Sequence, residues 1–570
     1  MKPVAQSRTQ GRTYRIYSRE EVGGLIARGH KVVIVDQHVL KIDAWVKYHP
    51  GGDLAILHML GRDATDEVDA LHSPEARRQM ERYRIGRIEG RWKNFVPPIQ
   101  GGVFNTDSTE RDSELDSTPD TYRDTASSDA SSRAPSPTFD RENPSLRNRN
   151  TNGTASTSTS PSPPPEKSYE DEEEMDGMAY LDAQTRKQIS LDLDKYPSPD
   201  GDTQAHIVEK YRQLHDRLRA EGMYGCNYWA YAAEVTRYST LLLLSALCLR
   251  NGYYALSAAF LGLFWHQGAF CAHDAGHMGI THNFHIDTII GIFVADFCGG
   301  LSLGWWKWSH NVHHIVTNSP EHDPDNQHLP FFAVSHRFFE SLFSSYHSRV
   351  MKYDIPAQYI TKVQAYLYYP IMAVARLNLY LQSWLYLLRG TGPTKGPAWW
   401  HRWLELVGMA FFWTWFGYFL MYKSIPTNWD RFVFFTISHV ITLPLHVQIT
   451  VSHFAMSTMD LGPQESFAQK MLRTTMDVDC PAWLDFFHGG LQFQAIHHLY
   501  PRIPRHNLRA AQKMVQEFCN DVGIPYALYG FVDGNKKVVG HLAEVSRQGA
   551  ILAKCQRTIA RRGDYLEDLR

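Results

Sequence analysis

The sequence predicts a three-part chain: a small α+β domain, a polar disordered linker, and an all-α polytopic membrane unit of about four transmembrane helices under a cytosolic helical cap. Three observations predict it. Short apolar runs broken by turn signals fill the first 95 residues. A stretch dominated by Ser, Thr, Pro and charged residues follows. Long apolar runs punctuated by three histidine clusters occupy most of the remainder. At 570 residues the chain exceeds one ordinary domain. The boundaries read as 10–95, 96–200 (linker), 201–540 (membrane unit) and 541–570 (tail). With 58 basic and 60 acidic residues, net charge offers no argument for nucleic acid, which is left out of the expected partners. Seven Cys without a CxxC pair read as free thiols in a reducing compartment. The opening MKPVAQSRTQGR lacks the apolar core of a signal peptide.

In the first domain, Ser18 to Glu21 form a capping box that opens a helix. Residues 31–35 (KVVIV) and 38–42 (HVLKI) read as strands. His49 is followed by Pro50, Gly51 and Gly52, a turn able to hold its imidazole rigidly. Helices are expected over 54–60, 64–71 and 75–83, with His72 at the end of the second. Two His on opposite walls of an apolar cleft suit axial ligation of a haem. With both axial positions filled, such a haem carries electrons and leaves no open site for oxygen. The block with its His49–Gly52 HPGG motif closely resembles cytochrome b5. The resemblance implies haem b held by His49 and His72.

Residues 96–200 carry too little apolar surface to offset chain entropy, so they read as a disordered tether. Such a tether lets a haem domain visit a second site at high effective concentration. Residues 203–221 read as a polar amphipathic helix. Spans are expected over 230–249, 253–271, 402–421 and 432–454. The runs 288–303 and 364–388 are expected to lie in the interface or re-enter. If all histidine clusters share one site they lie on one side of the membrane, so the crossings between them must be even in number. That side is taken as the cytosol, and the membrane as the endoplasmic reticulum.

The histidine clusters carry the chemistry. His273 and His277 are four apart. His310, His313 and His314 stand at i, i+3 and i+4, and Gln494, His497 and His498 repeat that spacing. On a helix each set projects from one face. With 28 His in the chain, one HxxHH is expected by chance only about 0.07 times. Converging neutral imidazoles suit a transition metal that stays open to a substrate. Two irons with four or five protein ligands each need one or two more than these seven His. His446 and His453 share a face of the last span, and His453, nearer its cytosolic end, is the choice. Asp274, Asp323 and Asp325 are candidates to orient ligand imidazoles, and His322 and His328 to stand behind them. Trp305, Trp306 and Trp308 are candidate tunnel walls or interface anchors.

Three boxes of this form resemble the membrane-bound fatty-acyl desaturase and hydroxylase superfamily. A fused cytochrome b5 domain and Gln494 opening the third box resemble its front-end desaturases. The block from Gly304 to Ser335 looks most like the sphingolipid delta-8 desaturases of fungal type. The resemblance implies a membrane enzyme with haem b and two non-haem irons. It would use O2 and electrons from NADH-cytochrome b5 reductase to place a double bond in the long-chain base of a ceramide or glucosylceramide. By that resemblance the catalytic set is His273, His277, His310, His313, His314, Gln494, His497 and His498. Three alternatives stand beside it: a front-end fatty-acyl desaturase, a lipid hydroxylase and a non-enzymatic membrane haem carrier.

Overall fold

The computed structural model describes residues 14–104 and 176–567. The N-terminal stretch read for signal-peptide features, and residues 105–175 of the tether, lie outside the described residues. The small domain is built on a four-stranded sheet, order β1 (Arg15–Ile16), β4 (Arg84–Arg87), β3 (His38–Lys41), β2 (Val32–Val35). β2 and β3 form a tight antiparallel hairpin. Its two turn residues, Asp36 and Gln37, both sit at positive φ (49° and 62°), the twist-compatible geometry of two-residue hairpins. Ser18 and Glu21 make the expected capping box at the start of Arg19–Ala27. Helices Leu54–Leu57, Thr65–Leu71 and Pro74–Met80 close the other side.

Among the described residues, four helices are long and apolar enough to cross a membrane: Tyr228–Arg250, Tyr254–Gly276, His401–Ser424 and Asn428–Val451. They expose Leu243, Leu247, Val407, Phe411 and Phe419, as a lipid-facing surface requires. Phe284–Cys298 and Leu303–Ile315 form a pair bent by 115°. The second limb of this pair carries the second box, so the apolar run between the first two boxes need not cross. The long helix Gln364–Arg389 contains Pro370 and buries Arg376. Arg376 donates to the Gly299 carbonyl (2.6 Å) and to the Tyr380 hydroxyl (2.9 Å), which satisfies the guanidinium beside the bend.

Two sequence boundaries need correction. The stretch read as linker is ordered at both ends. Residues 96–104 fold back on the small domain, with the Phe104 ring 5.1 Å from Phe95 and Gln100 Nε2 2.9 Å from His58 Nδ1. Helix Gly177–Lys195 starts on an Asp176 cap and buries Tyr180 and Leu181. Its Asp192 accepts from buried Arg473 at 2.9 Å. The linker reading averaged composition over a long polar stretch and so missed one short apolar face. The second correction is the tail. Phe531–Glu567 is one continuous helix across the boundary at 540. It buries Val538, Leu542, Val545, Leu552 and Cys555 in a cluster shared with Tyr180, Phe338 and Tyr368.

This helix is therefore core. Leu542→Ala should cost about 2–5 kcal/mol of stability. Thermal unfolding of the detergent-solubilised protein, followed by size-exclusion, should show a clear drop in midpoint. An unchanged midpoint would make the helix an appendage.

Candidate metal centre and haem cleft

Each box is placed by a helix end. His273 and His277 close the second span, where the helix leaves the apolar layer. Ser302 caps Leu303–Ile315, its side chain accepting from Trp305 N at 3.0 Å. Buried Glu405 accepts from Gly304 N at 3.0 Å and from the Ser302 hydroxyl. This fixed N-terminus sets the direction in which His310, His313 and His314 point. The third box lies on the short buried helix Gln494–Leu499, whose Ala495 N donates to Asp477 at 2.8 Å.

The boxes converge. His273, His277, His310 and His497 bring ligand nitrogens within 4.8 Å of one another, and so do His313, His453 and His498. His314 stands between the groups. Its Nε2 is 3.1 Å from His310 Nε2, and its ring stacks on His498 at 4.3 Å. His453 thus joins the boxes, whereas His446 lies outside both groups. Gln494 is buried one turn before His497 and His498. Burial and mutual repulsion hold His277, His310, His314, His453, His497 and His498 below the ordinary imidazole range, in the neutral form that ligates.

The donor set fits metal ions. His277 Nε2, His497 Nε2, His314 Nδ1 and His453 Nδ1 are buried with no hydrogen-bond partner among the described residues. A buried unpaired nitrogen is costly, and several converging ones are the arrangement a cation satisfies. His313 differs from the rest. Burial lowers its pKa, but Asp323 and Asp325 outweigh burial and raise it to about 9. Its Nδ1 lies 2.9 Å from Asp323, which leaves Nε2 for the cluster, 3.2 Å from His498 Nε2. Asp323 is itself fixed by Asn318 N (2.7 Å) and Asp325 N (2.9 Å). Asp274 instead accepts from Tyr231 and Arg505 and lies 3.8 Å from His273. His322 pairs with Ser345 (3.0 Å), and the His328 ring sits 6.1 Å from Phe454. Of the three tryptophans, Trp306 walls the cluster, stacked on His310 at 4.4 Å. A Cβ on Gly276 would lie 2.1 Å from its ring. Trp305 packs beside Tyr386 and Leu387 instead.

In the small domain, His49 Nδ1 is 2.7 Å from the Gly52 carbonyl, which aims Nε2 into the cleft. His72 caps Thr65–Leu71, and its Nε2 is 3.5 Å from His49 Nε2. Burial, with His49 adding to it, pulls His72 down to about 3, and burial also lowers His49. Two neutral imidazoles with ring centres 5.8 Å apart, in a domain whose Leu54, Leu57, Val68 and Leu71 share one apolar cluster, fit a haem cleft.

Comparison with known proteins agrees. A family model for fatty acid desaturases matches residues 252–530, and one for cytochrome b5-like heme/steroid binding domains matches 18–89. A "Delta 8-(E)-sphingolipid desaturase" of Emericella nidulans is 57% identical over 96% of this chain and 98% of its own length. One of Kluyveromyces lactis is 46% identical over 96% and 95%. The "Delta(8)-fatty-acid desaturase" of Helianthus annuus is 41% identical over 58% of this chain and 71% of its own. The chain belongs to the fatty acid desaturase family, with a cytochrome b5-like domain fused ahead of it. This desaturase is an oxygen-dependent oxidoreductase of the membrane, and the carrier alternative falls away.

Sequence reasoning found every histidine of the cluster and missed several of its supports. The network in which Arg505 binds Glu234 and Asp274, tying the first span to the first box, went unread. An acid inside an apolar run, at Glu234, was its signal.

Two outcomes follow for this desaturase. Asp323→Asn should weaken iron retention about 10–100-fold while the haem spectrum stays intact, as metal analysis beside absorbance would show. His453→Ala should lose non-haem iron, and His446→Ala should keep it. Equal iron in the two variants would remove His453 from the ligand set.

Proposed function

We propose that this protein is a delta-8 sphingolipid desaturase that introduces a trans double bond into the long-chain base of a ceramide-type lipid. The observation that carries the chemistry is the pair of histidine groups sharing the helix Leu303–Ile315. The observation that carries the substrate is identity along nearly the whole length to relatives named for that reaction. In this reading His273, His277, His310 and His497 hold one iron, and His313, His453 and His498 the other. His314 stands between them, and Gln494 lies beside the site as an oxygen donor or hydrogen-bond partner. His49 and His72 hold haem b.

The bound irons supply oxygen activation. With two electrons and two protons, one O2 and one CH2–CH2 unit give one CH=CH and two waters, so the count closes. The chain's own groups do the rest. Asp323 fixes the His313 tautomer. Trp306 and Gly276 close the cluster on the side of the first box and keep water from it. The apolar spans receive the hydrocarbon chain. Electrons come from NADH through a cytochrome b5 reductase to the fused domain. The reading places the enzyme in the endoplasmic reticulum membrane, with haem domain and boxes on the cytosolic face. That side is where reduced nicotinamide is available.

The test is lipid analysis of a host that lacks this desaturation. Expression should yield a diunsaturated sphingoid base with its second double bond at carbon 8, located by derivatisation and mass spectrometry. New polyunsaturated fatty acids with unchanged bases would move the substrate to acyl lipids. A hydroxylated product without a new double bond would change the reaction.

A further inference from the structure

The haem domain rests on the desaturase domain by the face that carries its own ligands. We propose that this contact is the working docking surface of the haem domain, and that Asn311 and Arg502 latch its two axial-ligand loops onto the box-bearing segments. The inference rests on the reading of His49 and His72 as haem ligands and of the boxes as iron ligands. It does not depend on which lipid is desaturated.

Both loops are engaged, each beside a box. Asn311 Nδ2 donates to the Gly51 carbonyl at 3.2 Å, two residues past His49, and Asn311 itself follows His310 directly. Arg502 Nη1 donates to the His72 carbonyl at 2.8 Å. Arg502 lies four residues past His498, and its own carbonyl approaches Gly279, two residues past His277, to 3.6 Å of where a Cβ would sit. At 6% exposure Arg502 is buried by the contact, although a guanidinium is otherwise seldom enclosed. Gly52 meets Trp308 so closely that a Cβ would lie 2.4 Å from its ring. One hydrogen bond therefore joins each axial-ligand loop to a segment that carries iron ligands.

The rest of the contact has the anatomy of a specific interface, an apolar centre with a polar rim. Val312, Ile315 and Val316 share one buried cluster with Val46, Ala55, Leu60 and Ala64 of the haem domain. Around it Arg212 Nε binds Asp66 at 2.7 Å, Asn94 donates to the Pro463 carbonyl at 2.9 Å, and Gln464 donates back to Asn94 at 3.1 Å. Asp66 of the acidic helix Thr65–Leu71 thus meets Arg212 of the desaturase domain, a charge pair of the kind that orients a docking partner. Each transfer moves one electron from reduced haem to oxidised iron. Two transfers, supplied by reduced nicotinamide through a flavin reductase, meet the demand of one double bond.

The experiment uses the full-length holoenzyme in lipid nanodiscs, without oxygen and without substrate. A laser flash reduces the haem, and its absorbance reports reoxidation by the oxidised irons. The wild type should reoxidise in a fast phase independent of protein concentration. Arg502→Met and Asn311→Ala should each slow that phase tenfold or more, with haem spectrum, haem potential and iron content unchanged. Arg502→Lys should recover part of the rate. Asp66→Arg should also slow it, and adding Arg212→Asp should restore it, which keeps the test open if Arg502→Met loses iron. Wild-type rates in iron-replete Arg502→Met and Asn311→Ala, or no rescue in the charge-swapped pair, would overturn the latch. A wrong lipid assignment leaves these transients untouched and shows only in the lipid profile.

Discussion

One short helix, Leu303–Ile315, has to face two ways at once, and the rest of the molecule is arranged to let it. At 3.6 residues per turn, Trp306, His310, His313, His314 and Thr317 fall on one side, and Trp308, Asn311, Val312, Ile315 and Val316 on the other. The first set builds both histidine groups. The second builds the seat of the haem domain. A helix that served only one of these tasks could tilt or slide without consequence. Here a rotation that improved one face would empty the other. This explains the number of fixed points on so short an element: the Ser302 cap, the Glu405 carboxylate on Gly304 N, the Asp323 clamp on His313 and the Asn311 bond to Gly51.

The same helix explains the membrane topology. A straight continuation of Phe284–Cys298 would carry the second box across the apolar layer, away from His273 and His277. The 115° bend turns it back. Bending leaves backbone groups unpaired in an apolar setting, and the structure answers with polar side chains from neighbouring elements. Asp296 accepts from Leu303 N at 3.2 Å, Ser383 from Ser302 N at 3.0 Å, and Arg376 donates to the Gly299 carbonyl. The buried polar and ionisable side chains that look misplaced in the apolar runs are therefore supports of the bend.

Much of this was legible in the chain. Histidines at i, i+3 and i+4 read directly because helix periodicity is local. The His49 turn read equally well, because Pro and two Gly constrain the backbone whatever surrounds them. His453 belongs to no box. It was reached by asking which histidine on the last span lies at the correct end, a question of geometry that sequence spacing can answer. What stayed hidden depends on contacts between distant segments. Arg502 is one arginine among many until the fold brings His72 to it. Helix Gly177–Lys195 vanished into the polar average of its surroundings, because its stability comes from a partner helix more than 300 residues later and not from its own pattern.

The electrostatics of the cluster close the argument. Burial first, and mutual repulsion after it, hold His277, His310, His314, His453, His497 and His498 in the neutral form, whereas Asp323 and Asp325 pull His313 the other way. Neutral imidazoles would leave the positive charge of a bound metal uncompensated, and the carboxylates beside the cluster are few: Asp323 and Asp325 at His313, and Asp274 at 3.8 Å from His273. Acids placed behind every ligand would fix each tautomer but would also lower the oxidising power of the site by stabilising the higher metal charge. Asp323, buried and held by two backbone amides, orients His313, while Asp274 of the first box is taken up by Tyr231 and Arg505. A site that must take hydrogen from an unactivated methylene gains from that economy of negative charge.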